Sequence, residues 1–145
     1  MLFTHLKPSD VFFGLSVALD CSIKGVLMKK KIIVLEDDLY IRELLELLLQ
    51  EEQFEVRSFS RAKDFLRNVP SIEVDLFLLD VMLPDGNGID ICKQLKRSHR
   101  SAGIPVILMS ANYNGLNPCP AEDFIEKPFD IDDLSRRVRK QLGMF

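Results

Sequence analysis

The sequence predicts an α/β fold: a doubly wound parallel sheet of five strands with helices on both faces. Three observations point to it. From Lys31 onward, short apolar runs alternate with stretches of helical periodicity, the pattern of successive βαβ units. The first run is continuous rather than alternating, as expected of a strand covered on both faces. Acids, a hydroxyl and a lysine stand directly after these runs, at Glu36, Asp37, Asp38, Asp80, Ser110 and Lys127.

Each element has its own warrant. Ile32 to Leu35 forms the first strand. A helix follows in which Ile41, Leu44, Leu45 and Leu48 recur at helical spacing, with Arg42, Glu43 and Glu46 among the polar positions. Phe54 to Phe59 is the second strand. Ser60 is placed to cap the next helix, whose apolar face is Ala62, Phe65, Leu66 and Val69, with Pro70 beyond its end. Val74 to Leu79 is the third strand, followed by the loop Pro84-Asp85-Gly86-Asn87-Gly88 and a helix carrying Ile91, Cys92 and Leu95. Ile104 to Met109 is the fourth strand, and Phe124 and Ile125 mark a short fifth. The last helix begins near Asp130 and turns Ile131, Leu134, Val138 and Leu142 inward. Its acids, Asp132 and Asp133, fall in the first turn and its cations in the last, so both ends match the helix dipole.

Composition narrows the function. At 145 residues the chain is long enough for one domain with a full core, and 47% hydrophobic against 28% charged residues is an ordinary globular mixture. A net charge of −3 argues against a nucleic-acid partner, because phosphate binding needs a concentrated basic surface. Arg136, Arg137, Arg139 and Lys140 cluster, but at the end of the last helix, where they complement its negative pole. Cys21, Cys92 and Cys119 have no metal-ligand spacing and an odd count, so a reducing, cytoplasmic setting is expected. His5 and His99 are isolated and are expected to be surface residues.

Residues 1–27 are read as an N-terminal extension of uncertain status, and residues 28–145 as the domain. The apolar run Val11 to Leu19 is too short to span a bilayer, which takes about 20 residues. Asp10 and Asp20 flank it and no signal-cleavage pattern follows. Met28, directly before Lys29-Lys30-Lys31, is read as the working start, and no membrane role is expected.

In open parallel sheets, ligands bind outside the carboxyl ends of the strands. The residues after the runs therefore face one crevice. Each pair of carboxylates about 4 Å apart repels by roughly 4 kcal/mol at an effective dielectric near 20, so some protonate or a cation binds. An oxygen-only, partial donor set suits Mg²⁺. Asp80 is then a nucleophile able to form an aspartyl phosphate, with Lys127 pairing a phosphoryl oxygen and Ser110 hydrogen-bonding another. Taken singly these residues mean little. Asp38 reads as a helix N-cap.

The segments Ile32-Ile33-Val34-Leu35-Glu36-Asp37-Asp38, Asp75 through Gly88, Pro105-Val106-Ile107-Leu108-Met109-Ser110-Ala111 and Asp123-Phe124-Ile125-Glu126-Lys127-Pro128-Phe129 resemble the receiver family of response regulators, in order and at similar separations, from about Lys31 to Leu142. The resemblance implies a flavodoxin-like strand order, 2-1-3-4-5. It implies that Glu36 and Asp37 hold Mg²⁺ together with Asp80, the phosphoacceptor, and the backbone carbonyl of Met82. It implies that Ser110 is the switch hydroxyl, that Phe124 is the aromatic whose rotamer follows phosphorylation, and that Lys127 precedes a cis peptide to Pro128. The implied donor is the phosphohistidine of a sensor histidine kinase or phosphotransfer protein.

One departure stands out. The stretch between Ser110 and Lys127 is short for the family and its Asn112 to Pro120 segment is rich in turn formers, so the family's fourth helix is expected to be shortened or missing. The expected function is a stand-alone receiver, catalysing only its own phosphorylation and dephosphorylation and signalling to another protein. The alternative is a module of receiver fold that works without phosphorylation. An aspartate-nucleophile phosphatase would need an acid two residues after Asp80, where Met82 stands.

Overall fold

A computed structural model describes residues 28–112 and 119–144. Its strands and helices follow the predicted alternation. β1 (Lys31–Leu35) leads to α1 (Leu39–Glu51), β2 (Glu55–Phe59), α2 (Ala62–Asn68) and a single 3₁₀ turn at Val69–Ser71. β3 (Leu76–Asp80) follows, then a ribbon of two short strands, β4 (Met82–Leu83) and β5 (Gly86–Asn87), and α3 (Gly88–Arg97). β6 (Val106–Ser110), β7 (Asp123–Glu126) and α4 (Ile131–Gln141) complete the chain.

The main sheet has the order β2-β1-β3-β6-β7, and every pairing in it is parallel. This is the 2-1-3-4-5 order of a doubly wound sheet. β3 and β6 are buried at all five positions, which explains their unbroken apolar runs. Successive side chains point to opposite faces, so each strand feeds two cores. Ile32, Val34, Leu76, Leu78, Ile107 and Met109 pack with Leu45 and Leu49 of α1 and Leu134 and Val138 of α4. Ile33, Leu35, Phe77, Leu79, Val106 and Leu108 pack on the other side with Phe65 of α2 and with Ile91, Cys92 and Leu95 of α3. Phe59, Phe65 and Phe77 meet edge to face there.

Three helices begin on a side-chain cap close in sequence. Asp38 accepts the Ile41 N–H at 3.0 Å, Asn87 accepts that of Ile89 at 2.8 Å, and Asp130 accepts that of Asp133 at 3.0 Å. The α2 helix differs from expectation. Ser60 does not cap it. Arg61 holds the N-cap position without a side-chain cap bond, and the free N–H groups of Ala62 and Lys63 are taken by Asp85, far along the chain. Leu44, Leu66 and Ile131, expected to face inward, are 36–44% exposed. The inward stripe of α1 is instead Leu45 and Leu49.

No helix among the described residues is long and apolar enough to cross a membrane. The expectations for residues 1–27 lie outside the described residues, as does most of the segment in which a shortened fourth helix is expected; the described chain has α-helices only at α1 to α4.

Candidate functional site

The sheet delivers each candidate residue to one rim. The Glu36 N–H continues the β1–β2 ladder by donating to the Phe59 carbonyl at 3.0 Å, and its side chain is buried. Asp80 is the last residue of β3 and is also buried. Asp37 is exposed beside them. Carboxylate oxygens of Glu36, Asp37 and Asp80 lie within 4.8 Å of one another.

Lys127 arrives from the far side. Its N–H donates to the Ser110 carbonyl at 2.8 Å, extending the β6–β7 pairing by one residue. Its ammonium then reaches Glu36 Oε2 at 2.6 Å and Asp80 Oδ2 at 3.2 Å. The other oxygens are held by backbone. Glu36 Oε1 accepts the Asp38 N–H at 3.2 Å, and Asp80 Oδ1 accepts the Met82 N–H at 3.3 Å. Arg42 reaches back from α1 to donate to the carbonyls of Glu36 at 2.9 Å and Asp37 at 3.3 Å, fixing the loop that presents both acids.

The charges respond to this crowding. Burial is the largest influence on Glu36. Together with the charge of Asp80 it outweighs the hydrogen bond from Lys127, and the carboxyl is pushed up to about 7. Burial opposes the Lys127 ammonium, but the hydrogen bond and charge of Glu36 and the charge of Asp80 overcome it, holding its pKa above the ordinary lysine value. Three carboxylates thus face one ammonium. The oxygen-only donors and the excess negative charge fit a hard divalent cation such as Mg²⁺.

Ser110 ends β6, beside Asp80 in the sheet, and is buried. Its hydroxyl accepts the Asn112 N–H at 3.1 Å. Phe124 lies in β7, half-buried, packed against the second core, with its carbonyl accepting from Arg137 at 3.2 Å. Met82 is 66% exposed at the mouth of the crevice. The Lys127–Pro128 peptide bond is cis. Asp38 belongs to the α1 cap. The sequence reading missed Arg42 and Asp85. Arg42 looked like any polar helix position, and only the loop Pro84-Asp85-Gly86 hinted at Asp85.

A doubly wound parallel sheet of this order, with an acidic crevice bridged by a lysine at its carboxyl ends, places the chain among the flavodoxin-like α/β domains. The chain belongs to the response regulator receiver domain family, whose model matches residues 32–139. It is 37% identical over 119 residues to the transcriptional regulatory protein GltR of Pseudomonas aeruginosa, covering 78% of this chain and 49% of GltR. It is 33% identical over 120 residues to the DNA-binding response regulator MtrA of Mycobacterium tuberculosis, covering 79% and 51%. The chain therefore spans about half the length of these curated relatives. Among solved structures, the response regulator TrrA of Thermotoga maritima, crystallised in complex with Mg(2+)-BeF, superposes with a TM-score of 0.69 at 29% identity, covering 77% of this chain and 98% of TrrA. A response regulator of Chloroflexus aurantiacus superposes with a TM-score of 0.75 at 25% identity, covering 79% and 98%.

Proposed function

We propose that this receiver domain accepts a phosphoryl group on Asp80 from the phosphohistidine of a sensor histidine kinase or phosphotransfer protein. The observation that carries the reading is the convergence of Glu36, Asp37 and Asp80 within 4.8 Å, with the Lys127 ammonium 3.2 Å from Asp80. An Asp80 oxygen attacks phosphorus, the bond from phosphorus to the donor imidazole breaks, and the electron pair leaves with the imidazole nitrogen. The Lys127 ammonium is placed to turn from Asp80 Oδ2 to an oxygen of the transferred group. The Ser110 hydroxyl, which accepts the Asn112 N–H, moves to donate its own proton in a hydrogen bond to another phosphoryl oxygen, and Phe124 turns into the space vacated. Glu36, Asp37, Asp80 and the Met82 carbonyl would hold Mg²⁺, which when bound would neutralise charge on the group in transfer.

Support comes also from TrrA, which was crystallised with Mg(2+)-BeF. The proposal concerns the receiver unit, within residues 28–145, acting in the cytoplasm. DNA binding is a property of longer relatives such as MtrA. With a net charge of −3, this unit is read as signalling by protein contact or phosphate relay.

The test is intact-mass measurement after incubation with Mg²⁺ and acetyl phosphate. One added phosphate, lost in Asp80→Asn and on chelation of Mg²⁺, supports the reading. Absence of an adduct in the wild-type chain overturns it in favour of a phosphorylation-independent interaction module.

A further inference from the structure

The hairpin that follows Asp80 lies outside the main sheet. Among the described residues its strands pair only with each other, Met82 opposite Asn87 and Leu83 opposite Gly86. Two-residue strands do not hold a ribbon in place by themselves. At its base the ribbon is fixed by the Val81 N–H to the Met109 carbonyl at 2.9 Å and the Gly88 N–H to the Val81 carbonyl at 2.8 Å.

Its tip is held by Asp85. One carboxylate oxygen accepts the Ala62 N–H at 2.8 Å and the other accepts the Lys63 N–H at 3.0 Å. The approach is close: a Cβ at Gly86 would stand 3.0 Å from the Ala62 Cβ. Two charge-assisted bonds from the first turn of α2 draw the Asp85 carboxyl below the usual carboxylate range. α2 has no side-chain cap of its own at Arg61. The contact therefore serves both partners: it caps the helix and clamps the hairpin.

The hairpin begins at Met82, whose N–H donates to Asp80 Oδ1 at 3.3 Å. We propose that Asp85 is a positioning residue for the acceptor site, fixing the Met82 backbone against Asp80 by anchoring the hairpin to α2. The inference rests on the proposed Mg²⁺-dependent phosphorylation and adds to it a residue that touches neither metal nor phosphate. The competing account is that Asp85 is a helix cap and nothing more.

A local cap separates the two. Asp85→Ala removes both cap and clamp. Adding Arg61→Ser gives α2 a cap at its own N-terminus without restoring the clamp. For wild type, Asp85→Ala and the Arg61→Ser/Asp85→Ala chain, three quantities are measured: urea stability, Mg²⁺ affinity by calorimetry, and the Mg²⁺ concentration giving half the maximal rate of acetyl-phosphate labelling. The expected result is that the double variant recovers stability while its Mg²⁺ midpoint stays about tenfold above wild type, the loss typical of residues that orient a metal site indirectly. A midpoint that returns with stability, or an Asp85→Ala midpoint equal to wild type, overturns the proposal. If Asp85→Ala does not fold, the double variant alone makes the comparison. If wild type binds Mg²⁺ but forms no adduct, the phosphorylation reading fails and the affinities still decide the role of Asp85. If it does neither, both fall.

Discussion

The Lys127 ammonium lies 2.6 Å from the carboxylate of Glu36, a residue ninety-one positions earlier in the chain. With Asp80 also 3.2 Å away, this lysine is the cation that balances the crevice. Replacing it leaves two buried carboxylates with backbone N–H donors but no counter-charge. Lys127→Ala is expected to destabilise the metal-free protein by about 1–3 kcal/mol near pH 8, and by less near pH 5.5, where Glu36 takes up a proton. Urea denaturation at the two pH values measures this, and an equal loss at both would contradict it.

Glu36 sets a pH dependence of metal response. Its folded-state pKa, about 7, lies above the ordinary value of 4.5. The folded chain therefore binds this proton more tightly than the unfolded chain. The stabilisation is fully present below pH 4.5 and is lost as pH rises toward 7. Metal needs the ionised form, so protons and Mg²⁺ compete. Millimolar Mg²⁺ is expected to raise the melting temperature more near pH 8 than near pH 5.5. A Mg²⁺ effect independent of pH would count against Glu36 as a ligand.

Gly88 has no space for a side chain, because a Cβ there would fall 2.1 Å from the Asp80 carbonyl oxygen. That oxygen belongs to the backbone of a central strand and cannot swing aside. Gly88→Ala is expected to cost about 3 kcal/mol, at the upper end for overpacking, and to lower the rate of Asp80 labelling. Denaturation midpoints check the first and intact mass the second. A loss under about 1 kcal/mol would show that the loop yields.

Asp37 and Asp38 are neighbours with different assignments. Asp38 caps α1, so Asp38→Ala is expected to cost about 1 kcal/mol of stability and leave the Mg²⁺ midpoint near wild type. Asp37→Asn is expected to do the reverse. Thermal melts and Mg²⁺ titrations on the pair test the division, and the opposite pattern would exchange their roles.

Cys92 is fully buried and burial, with the adjoining Cys119 thiol, pushes its pKa to about 12. Thiolate, the reactive form, is then scarce. A maleimide reagent near pH 8 is expected to modify Cys119, which is half-buried, well before Cys92, as read by peptide mass mapping. Faster labelling of Cys92 would mean that α3 opens readily.

The sheet was legible because central parallel strands are buried on both faces and so read as unbroken apolar runs. Their limits were less so. Val74 and Ile104 extend the runs of β3 and β6 backward but lie outside the ladders, half-buried against the second core. Asp80 and Ser110 end these strands although they are polar. In α1, leucines at 44, 45, 47, 48 and 49 satisfy more than one helical stripe, and burial selected Leu45 and Leu49. The crevice was legible because its members follow recognisable strands. The Asp85 clamp was not, since a carboxylate capping a helix that starts twenty-three residues earlier leaves no local pattern.

Glu36, Asp80, Ser110 and Lys127 stand at the ends of four different strands, and Lys127 is set by a bond to the backbone of Ser110. No fragment of the fold owns the crevice. A chain in which β7 is not yet seated has the acids without this counter-cation, so the charge balance of the crevice is completed only when the last strand pairs.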